Sequence, residues 1–165
     1  MSTINGLPAH ALLVHFIVVL APLTAVLAIL CAVWPAARQR LVWLVLALAA
    51  VTTALTPLTT DSGEWLEHRI EETELVEKHA EMGDTMIYFA LALLVAAVLL
   101  AVTHLRAVRG KALSAVLSAV IAVFVVVASG ATAFQVFRIG HSGATSVWSD
   151  ALTPATAGSA AEDGE

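Results

Sequence analysis

The chain has 165 residues, of which 59% are hydrophobic and only 13% are charged. A soluble domain carries about 25% charged residues, and a soluble fold of this length could not hide so much apolar surface. Gly and Pro together number 14, which excludes collagen-like and low-complexity classes, and a single Cys excludes an internal disulfide framework or a multi-cysteine metal cluster. Eight basic residues against 13 acidic ones argue against a nucleic-acid partner.

Four apolar stretches reach the length of about 20 residues that a membrane-spanning helix needs. They cover residues 10–34, 41–60, 85–105 and 112–137, and none contains Asp, Glu, Lys or Arg, each of which is costly at the bilayer centre. The stretches are apolar on every face and lack the alternation of a β-barrel strand. The expected fold is an all-α membrane protein, a four-transmembrane-helix bundle forming one domain over residues 1–150. Residues 151–165, rich in Ala, Gly, Thr and acids, read as a mobile tail. No Lys or Arg precedes the first stretch, which is also longer than a signal-peptide core, so it reads as a retained helix.

Charge placement predicts the topology. The two short turns hold Arg38, Arg40, Arg106, Arg109 and Lys111 and no acid. The opposite side holds only Arg69, Lys78 and Arg138 as cations, with all 13 acids. Lys and Arg near helix ends favour the cytoplasm, so the expected protein is multi-pass in the cell membrane with both termini and the middle loop outside. Short turns predict that helices one and two are antiparallel neighbours, and likewise three and four. Between helices two and three, nine acids from Asp61 to Asp84 alternate with Trp65, Leu66, Ile70 and Leu75 at near-helical spacing. That pattern predicts a short amphipathic helix lying over the outer end of the bundle. Pro22 and Pro57 fall inside helices one and two, as kinks that aid packing or as hinges of a broken-helix site.

Six histidines require an explanation, and their placement supplies part of one. His10 and His15 open helix one, His79 precedes helix three and His141 follows helix four, so three of the four helix ends on one side present imidazole. Imidazole is the commonest protein metal ligand and the usual axial partner of haem iron. Five residues turn a helix by about 140°, so His10 and His15 do not share a face and would not chelate one ion together. Two arrangements stay open. Haem b would pair His10 or His15 with His79 or His141; copper or zinc would gather His10, His79 and His141, with Asp61, Glu64 or Asp84 as further donors. Each histidine also admits a plain packing role. His68 reads as part of a solvated face, His104 as an interfacial residue, and Cys31 as a buried small hydrophobe. Gly140, Gly143 and Ala144 read as a tight small-residue turn after helix four. No nucleophile or acid–base constellation marks an enzyme.

Two segments carry a resemblance. Gly6-Leu7-Pro8-Ala9-His10, followed by Leu13-Val14-His15-Phe16, is similar to an opening P-x-H-P-x-x-V-H-F-P. Gly140-His141-Ser142-Gly143-Ala144, followed by Val147-Trp148, is similar to a closing G-H-x-G-x-x-x-V-Y, and His79 within Glu77-Lys78-His79-Ala80-Glu81 fits between them. Together they resemble a bacterial membrane-protein family, domain of unknown function 2231, from Gly6 to about Ser149. Ala11 and Ile17 depart from the prolines of that pattern, which alters the start of helix one without removing a histidine. The resemblance implies four transmembrane helices and a redox association, because related chains are fused to Rieske iron–sulfur or c-type cytochrome domains. It marks His10, His15, His79 and His141 as candidate site residues.

The leading expectation is a small membrane protein that binds haem b or a transition metal at its outer face. It would act in electron transfer or as an accessory of a respiratory or redox complex, with the acidic loop as a lid or docking surface for a cationic partner. A cofactor-free assembly or scaffold subunit is the alternative, and a transporter or proton-linked channel is the third reading.

Overall fold

A computed structural model describes residues 3–4, 7–70 and 73–152. Thr3–Ile4 pairs antiparallel with Leu7–Pro8, and five helices follow. They are α1 (Ala9–Val33), α2 (Pro35–Glu67), α3 (Glu74–Asp84), α4 (Met86–Val108) and α5 (Ala115–Leu152). Four helical segments, containing α1, α2, α4 and α5, are long and apolar enough to cross a membrane. The four-span expectation holds.

Local chemistry sets the helix ends. Trp34 alone separates α1 from α2 and is extended, with φ −124° and ψ 105°; a residue before proline is pushed out of the helical region. Pro35 then starts α2, where its missing N–H costs nothing. Gly110, at φ 69°, ends α4 in the left-handed conformation, and Lys111 N–H returns to the Arg106 carbonyl. The Ser114 hydroxyl caps α5 by accepting from Leu117 N–H, and Thr73 caps α3 by accepting from Val76 N–H. Glu74 and Glu77 add favourable negative charge to the first turn of α3.

Around the bundle the order is α1, α2, α4, α5, each touching the next and α5 closing on α1. Consecutive spans joined by short turns are therefore neighbours, as the turn lengths predict. The core is built largely from small residues, with Ala21, Ala28, Ala49, Ala96 and Ala97 fully buried, which lets helices approach closely in a membrane. Most buried hydroxyls satisfy themselves within their own helix, as when Thr52 donates to the Leu48 carbonyl. Two hydroxyls also reach a neighbouring helix. Thr53, bonded to the Ala49 carbonyl at 2.9 Å, lies 3.1 Å from the Ala90 carbonyl. Thr132, bonded to the Ala128 carbonyl at 2.7 Å, lies 3.2 Å from the Phe89 carbonyl. Pro22 and Pro57 lie inside continuous helices.

The structure revises the expected ends of two spans. α2 continues past residue 60 to Glu67, and α5 continues past residue 137 to Leu152. The apolar run stops where the bilayer would stop, but the helical backbone does not. The segment read as a tight turn, Gly140 to Ala144, is therefore helical. The acidic stretch forms two pieces, the end of α2 at Glu67 and the separate helix α3 from Glu74. Trp65, on the first piece, stacks against the Arg69 guanidinium at 3.8 Å. Of the expected tail, Ala151 and Leu152 belong to α5, and the remainder lies outside the described residues.

Candidate functional site

Two histidines meet at the end of the bundle that carries α3. His10 sits one residue into α1, and its Nδ1–H donates to the Thr59 carbonyl of α2 at 3.0 Å. Thr59 and Gly63 are one turn apart on α2 and so share a face. Gly63 gives the ring its seat: a Cβ there would lie 3.0 Å from both Nδ1 and Cε1 of His10.

His79 is held the same way by α5. Ser142 Oγ donates its only proton to the Ile139 carbonyl at 2.9 Å. Its lone pair therefore accepts from His79 Nδ1–H at 3.0 Å. Gly143 lies under the ring, where a Cβ would come within 2.9 Å of Cε1. His79 is pulled below the ordinary histidine pKa, first by burial and second by the neighbouring His10, against a smaller opposing contribution from the Ile139 backbone.

The two rings stand edge to face, centroids 6.4 Å apart and planes at 83°. With both Nδ1 atoms carrying the proton, both Nε2 atoms keep a free lone pair. This is the second-sphere pattern of ligating histidines, in which the non-ligating nitrogen donates to a carbonyl or similar acceptor. Beside the rings lies a cavity of about 460 Å³, walled mainly by apolar side chains such as Val14, Leu66, Val136 and Ile139. Its volume falls within the range of small-molecule and cofactor sites.

The other candidates stand apart. His15 borders the same cavity, but its Nδ1 bonds to the Ala11 carbonyl within its own helix. His141 is exposed and stacks flat on Phe137, with centroids 6.1 Å apart and planes 9° from parallel. His10, His79 and His141 are thus not brought together as a three-ligand set. Among the described residues no group of three His, Cys, Asp or Glu side chains is gathered for a metal ion. His68 bonds to the Glu64 carbonyl, and His104 packs edge-on against Trp43 at the basic end. Cys31 is buried, in line with its reading as a small hydrophobe.

Sequence reasoning named the two central histidines and missed the residues that hold them: Thr59, Gly63, Ser142 and Gly143. The spacing of Gly140 and Gly143, three apart as on one helix face, was the available signal. It is hidden when the segment is read as a turn.

The profile of the family described as Predicted membrane protein (DUF2231) matches residues 6–156. The chain belongs to this family. Comparison with curated proteins and with solved structures found no match. The DUF2231 match spans both histidines and every residue that positions them, so the whole site lies within the family domain.

Proposed function

We propose that this DUF2231 protein binds haem b between His10 and His79 and serves in electron transfer or as a redox-complex accessory. The observation that carries the reading is the ring pair at 6.4 Å with Nδ1 of each imidazole already committed. The Nε2 atoms of His10 and His79 would be the groups that hold the haem iron, which would supply one-electron chemistry. Two donors favour haem over bare copper or zinc, because a porphyrin supplies four equatorial nitrogens, whereas zinc takes four ligands and usually at least three from protein. The cavity that both rings border is mainly apolar, which suits a largely apolar cofactor.

The charge asymmetry supports an orientation with the histidine end and the acidic helix outside the cell and the five cations of the turns inside. In that orientation the acidic end would meet a cationic redox partner. A second reading is favoured by the same hydrogen bonds: imidazoles seated on glycines and bonded to protein acceptors would also serve a cofactor-free assembly subunit. A transporter is disfavoured, because the sequence stretches read as spans carry no ionised side chain.

The deciding experiment is an absorption spectrum with metal analysis on protein purified in mild detergent after expression with haem and metals supplied. A Soret band with stoichiometric iron supports haem. Stoichiometric copper or zinc without a Soret band moves the reading to a metal site, and neither moves it to the cofactor-free subunit.

A further inference from the structure

A second void lies on the flank of the bundle, in the seam between α1 and α5. It is about 400 Å³, and it shares Val18, Val136 and Gly140 with the histidine cavity. Those three residues border both voids. At Gly140 there is open space, since a Cβ built there meets nothing within 4 Å. Pro22 and Ala133 line the part of the groove deeper in the apolar spans. Val18 and Phe137 are exposed on the outside of the bundle, so the groove opens toward lipid.

The lining limits what fits. Among the described residues, no Lys, Arg, Asp or Glu lines the groove. A phospholipid phosphate would call for such a cation, so a charged headgroup is poorly matched. The one polar side chain is His141, at the outer end, lying flat against Phe137 to make an aromatic wall. Imidazole can donate to a carbonyl or accept from a hydroxyl. A flat, uncharged ring bearing such oxygens, with a long apolar tail, satisfies each of these features.

The geometry points to the α1–α5 groove as a binding site for an isoprenoid quinone or quinol, its tail along Pro22 and Ala133 and its ring against Phe137 and His141. This assigns His141 a ligand of its own and does not rest on haem at His10 and His79.

The test is photolabelling in phosphatidylcholine nanodiscs with an azido-benzoquinone carrying a farnesyl tail, on protein purified without haem. Labelled peptides should contain Val18–Pro22 or Ala133–His141. Labelling should fall at least tenfold with excess unlabelled farnesyl benzoquinone and persist with excess phosphatidylglycerol. Gly140→Leu, whose Cβ meets nothing within 4 Å, and His141→Ala should each reduce labelling by about tenfold. Equal competition by the phospholipid, labelling elsewhere, or unchanged labelling in both variants would overturn the assignment. Because haem is absent throughout, failure here leaves the His10–His79 reading untouched, and the absence of a Soret band elsewhere leaves this site untouched.

Discussion

His79 and Ser142 share a hydrogen bond of 3.0 Å whose direction is fixed by a third group, because the Ser142 proton is already given to the Ile139 carbonyl. This assigns the imidazole as the donor. Ser142→Ala therefore strands a half-buried N–H, a loss of about 1 kcal/mol. Unfolding in mixed micelles should report it, and Ser142→Thr, which keeps an acceptor, should recover most of the loss.

A side chain at 143 would crowd the His79 ring. Alanine there would place a methyl 2.9 Å from the His79 ring, and overpacking of this kind costs about 1–3 kcal/mol. Gly143→Ala should detach α3 from α5, seen as faster amide exchange across residues 74–84. Gly63→Ala, at 3.0 Å from His10, should produce a milder loss on the α1 side.

The docking of α3 should depend on pH with a definite sign. Folding lowers the His79 pKa from its ordinary value of 6.5, so the unfolded or detached state binds the proton more readily. The stabilisation is present in full above about pH 6.5 and is lost as pH falls below it. A spin label at Glu77→Cys should gain mobility as pH drops from neutral into this range. The same label in a His79→Gln background should show no such response.

The proposed haem site predicts different outcomes for the four candidate histidines. His10→Ala and His79→Ala should each abolish the low-spin bis-imidazole spectrum, while His15→Ala and His141→Ala should leave it unchanged. Loss of the spectrum in either of the latter pair would mean that the rings at 6.4 Å are not the ligands.

Cross-helix hydroxyls in the spans should matter little one at a time. Thr53→Val and Thr132→Val remove hydroxyls shared between a carbonyl of their own helix and the Ala90 or Phe89 carbonyl, and cross-helix bonds in a bilayer average about 0.6 kcal/mol. Gln135, which donates to both the Thr85 hydroxyl and the Met82 carbonyl, should cost more when replaced by Leu, read by the same micelle unfolding.

The spans were legible because hydropathy reports what the bilayer demands, and the bilayer demands it of every residue from Thr85 to Leu105. Outside the membrane that demand lapses, so the helical extensions through Glu67 and Leu152 left no hydropathy mark. His10 and His79 were legible by level alone, since equal depth along two helices brings side chains to one plane. Their pairing with each other, and not with His141, was not. That depends on which way each helix faces, and it is set by Gly63 and Gly143, whose contribution is the absence of a side chain.

Each imidazole is fastened inside its own half of the chain. His10 is held by α2, within the first hairpin, and His79 by α5, within the second group of helices. The contact between the rings spans the two halves, alongside the packing of Ile17 and Ala21 against Met86 and Val136. Cutting the chain between Glu67 and Glu74 would leave both rings with their Nδ1 acceptors, so two separately made fragments would carry finished half-sites. The ring pair would then form only on reassembly, and any signal it gives would count complete molecules.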